Sequence, residues 1–278
     1  MKKILIIGAG SYIGTSFQDY IRNSSENRNY EIHALGAEGL QPRRELFEGF
    51  DVVFHVAGIV HRRETKKNAG LYYEVNRDFA VAVAKAAKEA GVGQLIILSS
   101  MSVYGWCRGC IGKHTIPHPN SHYGRSKLQA DREIWKMNAP DFRVAILRPP
   151  MVYGRNCRGN YQALRKLAVM TPFFPRTDNA RSMIYIGNLC EFVKEVADRE
   201  EHGLFFPQDK EYVDTGIMVK TIAECHGKKV RLVRGFGWLE SLPSKLCRKV
   251  FGSLAYEKTD TVDRYGFREA VRLTEGRS

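Results

Sequence analysis

Short apolar runs of strand length recur through the first 150 residues, and helical patterns lie between them. The runs lack polar–apolar alternation and end at turn residues, at positions 4–7, 32–35, 52–56, 95–98 and 144–147. Runs of this kind are typical of parallel strands buried on both faces. The clearest helical pattern covers 72–90, is rich in alanine and is followed by Gly91. This order predicts an α/β fold: a doubly wound parallel sheet with helices on both faces.

A glycine-rich turn follows the first run. Gly8, Gly10 and Gly14 have G-x-G-x-x-x-G spacing, and a helical pattern that ends near Arg22 begins within the turn. Glycines let such a turn approach a pyrophosphate, whose charge is favoured by the N–H groups and positive end of the helix. A glycine-rich turn without a ligand is the alternative. The predicted dinucleotide cradle consists of Gly8, Gly10, Ser11, Tyr12, Ile13 and Gly14.

The choice between NAD and NADP stays open in the sequence. A carboxylate at the end of the second strand normally holds the adenosine ribose. Here Leu35 is followed by Gly36, and no acid occupies that place. Arg43 and Arg44 are either plain surface residues or partners for a 2′-phosphate.

A serine, a tyrosine and a lysine form the second motif. Tyr123 and Lys127 are four residues apart in a helical pattern and share one face, and Ser100 directly follows the fourth apolar run. A phenol with an ordinary pKa of about 10 becomes a usable base when an ammonium group and an oxidised nicotinamide stabilise the phenolate. The three residues predict proton transfer at a sugar hydroxyl, with Ser100 on the reacting oxygen and Lys127 on the nicotinamide ribose. A purely structural helix pair is the alternative.

The regular alternation weakens after Pro149 and Pro150. A helical segment near 161–169, a strand leading into a helix within 181–198 and a helix at 218–225 are the clearest later elements. We expect a dinucleotide-binding domain at residues 1–155, with 181–200 returning to it. Residues 156–180 and 201–278 should form a small C-terminal substrate-binding lobe.

Composition excludes several classes. Hydrophobic residues make up 44% and charged residues 26%, which argues against disorder. The net charge of +13 favours anionic partners. The basic residues are scattered and line no aromatic element, so a solvated surface is the first interpretation, a site for a phosphate-bearing metabolite the second, and nucleic-acid binding the last. Cys107 and Cys110 form a lone C-x-x-C without a second ligand pair, so we expect free thiols and no metal.

No apolar stretch approaches the length of a signal or membrane segment, which predicts cytoplasmic residence and no membrane partner.

The motifs occur in the order found in one family. They are the glycine loop at 8–14, DVVFHVAG at 51–58, Asn76, SSMSVYG at 99–105, Tyr123-x-x-x-Lys127, LRPP at 147–150 and RSMIYI at 181–186. With them the chain resembles the extended short-chain dehydrogenase/reductases, specifically the NAD-dependent epimerase/dehydratase group that includes UDP-glucose 4-epimerase.

The resemblance implies a Rossmann-type sheet and a set of residue roles. Ala57 and Gly58 would lie against the adenosine half of the cofactor, and Asn76 would order the catalytic region. Ser100, Tyr123 and Lys127 would be the catalytic trio, with Tyr123 and Lys127 also touching the cofactor. The substrate would be a nucleotide sugar, most simply UDP-linked, and its implied ligands are Ser100, Ser102, Asn160 and Arg181, the last on the pyrophosphate. A homodimer through the helix carrying Tyr123 and the long helix before it is also implied.

Four departures from the family pattern stand out. Ser11 replaces a glycine, which is acceptable if its φ is negative. Gly36 replaces the ribose acid, Met151 replaces an asparagine, and Gly187 with Asn188 replaces an acidic pair.

The motifs argue against one reaction of the family, dehydration, and leave epimerisation and keto reduction open. Family dehydratases carry Thr-Asp-Glu where this chain has Ser100-Met101-Ser102, so water elimination lacks its acid and base. A 4-epimerase that removes and returns a C4 hydride with bound NAD is favoured. The alternative is an NAD(P)H-dependent 4-keto reductase, which would use the same trio. A nucleotide-sensing regulator would be expected to have lost part of that trio.

Overall fold

The computed structural model describes residues 1–60, 64–235 and 250–276, and the chain divides into two compact units. The first unit consists of Met1–Gly105, Pro117–Pro149 and Cys190–Phe205. The second consists of Trp106–Ile116, Pro150–Leu189 and Phe206–Ser278. This division differs from the expected one at its edges: the second unit takes 106–116, and 190–205 rather than 181–200 returns to the first. The reason is strand pairing, since 109–111 pairs with 254–256 and 203–205 pairs with the central sheet.

The first unit contains a six-stranded parallel sheet. Its strands are β1 (Lys2–Ile7), β2 (Tyr30–Leu35), β3 (Val52–His55), β4 (Gln94–Leu98), β6 (Arg143–Leu147) and β10 (Gly203–Phe205), in the order β2-β1-β3-β4-β6-β10. The order reverses at β1, because β2 and β3 lie on opposite sides of it. Right-handed connections then put helices on both faces, which confirms the predicted doubly wound α/β fold. All five apolar runs form strands, but β2 is only partly buried because it lies at the edge of the sheet, and β10 was not predicted.

The helices of the first unit alternate with its strands along the chain. They are α1 (Tyr12–Arg22), α2 (Ala69–Tyr73), α3 (Phe79–Glu89), α4 (His122–Trp135) and the latter part of α6 (Ile186–Asp198). The helix predicted at 72–90 is observed as α2 and α3 joined by a π-helical turn, Glu74–Asp78. Such a turn inserts an extra residue and is frequent at functional sites. Here it carries the buried side chain of Asn76.

The described residues of the second unit include paired short strands and four helical segments. The pairs are β5 (Gly109–Ile111) with β13 (Leu254–Tyr256), β7 (Met151–Tyr153) with β9 (Met183–Tyr185), β8 (Phe173–Pro175) with β12 (Arg231–Val233), and β11 (Gln208–Asp209) with β14 (Thr261–Val262). The helices are α5 (Asn160–Met170), the start of α6, α7 (Thr215–Cys225) and α8 (Phe267–Thr274). The helices predicted near 161–169 and 218–225 and the strand-to-helix segment within 181–198 are confirmed.

Buried Asp209 connects several elements of the second unit. Its carboxylate accepts hydrogen bonds from the Tyr185 amide at 3.0 Å, the Asn188 side chain at 2.7 Å and the Tyr153 hydroxyl at 3.1 Å. Asn188 is one of the two residues that replace the family's acidic pair. Its side chain therefore hydrogen-bonds a carboxylate instead of supplying one. Burial raises the pKa of Asp209 to about 6.

Two features are absent from the described part of the chain. None of its helices combines the length and apolarity needed to cross a membrane. No cluster of three or more His, Cys, Asp or Glu side chains there could hold a metal ion. The cysteines at 107, 110, 157 and 190 are free thiols among the described residues, and Cys247 lies outside those residues.

Candidate active site

The glycine turn forms a tight cradle at the point where the sheet order reverses. A Cβ at Gly8, whose φ is +112°, would lie 2.8 Å from the Ala57 amide nitrogen, and one at Gly14 would lie 2.5 Å from the Gly8 carbonyl oxygen. A Cβ at Gly10 would meet nothing within 4 Å. Gly8 and Gly14 are therefore required by packing, whereas Gly10 leaves open space beside the backbone.

Ser11 is the N-cap of α1 and meets the condition set by the sequence. Its φ is −74°, and its hydroxyl accepts a hydrogen bond from the Gly14 amide at 3.0 Å. Tyr12 and Ile13 form the first turn of the helix, where backbone N–H groups have no partner within the helix. A reversal point in strand order together with a helix N-terminus is the usual location of a dinucleotide phosphate. The residues present fit that group.

Helix α4 presents Tyr123 and Lys127 and is capped from two directions. Ser121 accepts from the Gly124 amide at 3.0 Å. The Glu64 carboxylate accepts from the amides of His122 at 3.0 Å and Tyr123 at 2.9 Å. Glu64 was not predicted. Its role depends on the loop after β3 returning to α4, and no local pattern signals that return.

Lys127 is buried among the cofactor residues predicted from the sequence. It is 7% exposed, and its Nζ donates to the Leu98 carbonyl oxygen at 2.9 Å. A Cβ at Gly58 would lie 3.2 Å from that Nζ and 2.9 Å from Asn76 Oδ1, so only glycine fits between the two side chains. Burial lowers the pKa of Lys127 to about 8, and the charge of Asp131 opposes this fall. The structure therefore brings Gly58, Asn76 and Lys127 together.

Asn76 orders this region through three side-chain hydrogen bonds. Its Oδ1 accepts from the Ile59 amide at 2.7 Å, and its Nδ2 donates to the Ile59 carbonyl and to Ser126 Oγ, each at 3.2 Å. Ser126 in turn donates to the Tyr123 carbonyl at 2.9 Å. The π-helical turn and α4 are thus joined next to the two motif residues.

Ser100 lies two residues beyond the end of β4, and its hydroxyl is near enough to the Tyr123 phenol to influence the pKa of that phenol. Ser100 caps a short 3₁₀ turn, Met101–Tyr104, by accepting from the Ser102 amide at 3.1 Å. Burial raises the pKa of the Tyr123 phenol, and a hydrogen bond with Ser100 opposes that rise. The sequence analysis predicted that positive charges, from an ammonium group and an oxidised nicotinamide, lower this pKa. The protein surroundings act in the opposite direction, so the phenol needs an added positive charge beside it to become a base near neutral pH.

The remaining predicted residues fall in different places. Ser102 is exposed in the 3₁₀ turn of the first unit. Asn160 is exposed at the start of α5, and Arg181 bridges Val213 while its Nη1 donates to the Gly252 carbonyl at 2.6 Å, both within the second unit. Burial lowers the pKa of Arg181 from its ordinary value.

The surface beyond β2 carries two arginines with protein partners. Arg44 pairs with Glu48 at 3.1 Å, and Arg43 donates to the Gln41 side chain at 3.2 Å. A Cβ at Gly36 would meet nothing within 4 Å. The end of β2 is therefore open at Gly36 and has no carboxylate at that position, as the sequence indicated.

Comparison with known proteins agrees with the motifs. The profile of the NAD dependent epimerase/dehydratase family matches residues 4–202. A UDP-glucose 4-epimerase from Vibrio cholerae is 30% identical over 287 residues, covering 95% of this chain and 85% of the relative. An N-acetyl-alpha-D-glucosaminyl-diphospho-ditrans,octacis-undecaprenol 4-epimerase from Escherichia coli O157:H7 is 33% identical over 211 residues, covering 69% of this chain and 62% of the relative.

Two solved structures have the same fold. The structure of MoeE5 in complex with UDP-glucose and NAD has a TM-score of 0.77 at 20% identity and covers 99% of this chain and 97% of its own. A dTDP-4-dehydrorhamnose reductase from Clostridium acetobutylicum has a TM-score of 0.76 at 19% identity and covers 99% and 98%. The profile match spans well over half of the sequence, and the chain belongs to the NAD dependent epimerase/dehydratase family.

Proposed function

We propose that this protein is an NAD-dependent nucleotide-sugar 4-epimerase acting on a UDP-linked hexose. The observation that carries the proposal is the arrangement around α4: Tyr123 and Lys127 lie one helical turn apart on this helix, and Lys127 donates to the Leu98 carbonyl, two residues before Ser100. The likeness to the Vibrio cholerae UDP-glucose 4-epimerase supports the substrate class.

The cradle supports dinucleotide binding. Gly8, Gly10, Ser11, Tyr12, Ile13 and Gly14 would hold the pyrophosphate, and Ala57 and Gly58 the adenosine half. Lys127 would hold the nicotinamide ribose, and Asn76 would keep Gly58 and α4 in place. Bound NAD supplies a hydride acceptor that can return the hydride to the other face of a sugar.

The chain's own part is proton transfer and orientation. Tyr123 removes the proton from the sugar 4-hydroxyl, and Ser100 hydrogen-bonds that oxygen. This step starts from the Tyr123 phenolate, which the Lys127 ammonium would stabilise, and it leaves Tyr123 as the neutral phenol. The return of the proton from Tyr123 to the 4-oxygen completes epimerisation. Arg181, Asn160 and Ser102 are proposed to bind the substrate, with Arg181 on its diphosphate.

A 4-keto reductase is the second candidate, and Gly36 is the observation that favours it. The end of β2 offers no carboxylate that would select NAD over NADP. A reductase would use Tyr123 as the acid toward the 4-oxygen of a keto sugar and would exchange its cofactor in every turnover.

The two candidates differ in what the purified protein carries. We expect protein denatured after purification to release stoichiometric NAD and to interconvert UDP-glucose and UDP-galactose. Protein that purifies without dinucleotide and reduces a 4-keto sugar nucleotide with NADPH would favour the reductase. A third assay should offer a polyprenyl-diphosphate-linked sugar, because it shares the anomeric diphosphate and the Escherichia coli relative is named for such a substrate.

Tyr123→Phe tests the catalytic assignment. The variant should still bind dinucleotide, while turnover should fall far below one tenth of the wild-type rate, because the phenylalanine has no proton to exchange. A residual rate above one tenth would remove Tyr123 from the acid/base role.

The homodimer and the cytoplasmic location expected from the sequence stay predictions. Light scattering of the purified protein would test the homodimer.

A further inference from the structure

A buried ion pair lies behind the proposed catalytic residues and has no part in the mechanism described so far. Asp131 is 2% exposed and Arg148 is 6% exposed. Asp131 Oδ2 accepts from Arg148 Nε at 3.0 Å, lies 2.9 Å from Arg148 Nη2, and accepts from the Ser99 hydroxyl at 2.9 Å. Arg148 Nη1 donates to the Tyr104 hydroxyl at 2.9 Å. Burying both charges is costly, so the pair calls for an explanation beyond stability.

The position of Asp131 on α4 connects it to the site. Tyr123, Lys127 and Asp131 are successive members of an i, i+4, i+8 series, and therefore lie along one helix face. The Lys127 side chain donates a hydrogen bond to the Leu98 carbonyl, and the Asp131 carboxylate accepts one from the hydroxyl of the next residue, Ser99. Ser100 follows directly. The two side chains thus hold α4 in register against the strand end that presents Ser100.

One carboxylate oxygen of Asp131 makes no hydrogen bond among the described residues and can act on neighbouring charges. Its Oδ2 makes all of the contacts above, whereas Oδ1 is buried with no hydrogen-bond partner among the described residues. Burial raises the pKa of Asp131, and the guanidinium of Arg148 opposes that rise and favours the carboxylate.

The other groups around Lys127 cannot supply a negative charge. His55, from β3, has both ring nitrogens buried and without a partner among the described residues. Burial and the charge of Lys127 lower its pKa to about 3, so it is neutral. Asn76 is an uncharged amide, and the Tyr123 phenol is protonated near neutral pH. Asp131 is the carboxylate that acts on Lys127 within the described part of the chain.

We propose that Asp131 is a positioning residue of the site, whose carboxylate, anchored by Arg148 and Ser99, keeps buried Lys127 as an ammonium and fixes α4 against the Ser100 strand end. The importance of a charged Lys127 rests on the proposed function, since the ammonium stabilises the Tyr123 phenolate. The charge of Asp131 itself is unfavourable to that phenolate and raises the Tyr123 pKa. A pH profile of turnover would therefore mix two effects, and the clean readout is the titration of Lys127 itself.

The experiment follows the Lys127 side chain by NMR in protein labelled with [ε-¹³C]lysine, the signal being assigned by its loss in Lys127→Arg. In Asp131→Asn the Lys127 titration midpoint should fall by about one pH unit or more, the usual effect of losing a nearby opposite charge. Asp131→Glu keeps the charge and should restore most of the wild-type midpoint. Ser99→Ala and Tyr104→Phe each remove one hydrogen bond but no charge, and should leave the midpoint nearly unchanged.

Each outcome decides the proposal. A midpoint in Asp131→Asn equal to wild type would overturn it, as would a fall of the same size in Ser99→Ala, which would indicate a packing effect. If Asp131→Asn does not fold because Arg148 is left without an anion, the double variant Asp131→Asn/Arg148→Gln removes both charges and should show the same direction of shift. Because the titration needs neither substrate nor turnover, its failure is separate from failure of the epimerase assay.

Discussion

Gly8 and Gly10 of the cradle should respond differently to the same substitution. Gly8→Ala places a methyl group 2.8 Å from the Ala57 amide nitrogen at a φ of +112°. The Ala57 amide also donates to the Ile7 carbonyl at 3.0 Å, so β3 cannot withdraw without losing that bond. A forbidden φ costs about 1–3 kcal/mol and overpacking about another 1–3 kcal/mol, giving a loss of roughly 2–6 kcal/mol. That is a large share of the ~5–15 kcal/mol that stabilises a typical domain.

Gly10→Ala should separate binding from folding. The new methyl group meets nothing within 4 Å, so the free energy of unfolding should stay within about 0.5 kcal/mol of wild type. If the diphosphate approaches the backbone there, dinucleotide affinity should fall by about tenfold, or ~1.4 kcal/mol. Gly70→Ala also meets nothing within 4 Å and lies outside the cradle, which makes it the matched control.

Urea unfolding measures the first quantity and fluorescence titration with NADH the second. The reasoning is refuted if Gly8→Ala unfolds at the wild-type urea concentration, because the close contact with Ala57 would then have no energetic meaning. It is also refuted if Gly10→Ala binds NADH as tightly as Gly70→Ala, because the open space would then not be the phosphate site.

Three further predictions concern the cap, the second unit and the substrate. Glu64→Ala removes two acceptors from the N-terminus of α4 and should cost about 1–2 kcal/mol in urea unfolding and lower kcat, whereas unchanged stability would exclude the capping role. Burial raises the pKa of Asp209 to about 6 from 3.8, so the folded state binds the extra proton and this group's contribution to stability falls as pH rises from about 4 to about 6, by up to ~3 kcal/mol. Asp209→Asn should lose that slope and be at least as stable as wild type at pH 7.5; an identical slope in both proteins would contradict it. Arg181→Leu should raise the KM for the sugar nucleotide about 10- to 100-fold with little change in dinucleotide affinity. Arg176→Leu, at an exposed arginine, is the control and should change neither quantity. Equal effects of the two variants would count against a substrate role for Arg181.

The comparison of sequence and structure is clearest on α4. The four-residue spacing of Tyr123 and Lys127 needs no tertiary information, because helix geometry puts such residues on one face. The same spacing extended by four reaches Asp131, yet the sequence could not show that Arg148 and Ser99 meet it. Glu64 likewise caps α4 from a loop 58 residues earlier in the chain. Pairings between distant segments leave no periodic signal.

What the sequence determined by itself was the set of local features: five parallel strands, the helix-opening glycine turn, the Ser–Tyr–Lys pattern and the family to which they point. Each depends on the period of apolar residues or on backbone conformations that few residue types adopt, and both are written in neighbouring positions. The tertiary structure decided the rest. It added β10 to the sheet, drew 106–116 into the second unit, set the balance of burial and charge on Tyr123 and Lys127, and made Gly8 and Gly14 irreplaceable. These properties depend on which distant atoms come within a few ångströms, and only the folded chain brings them there.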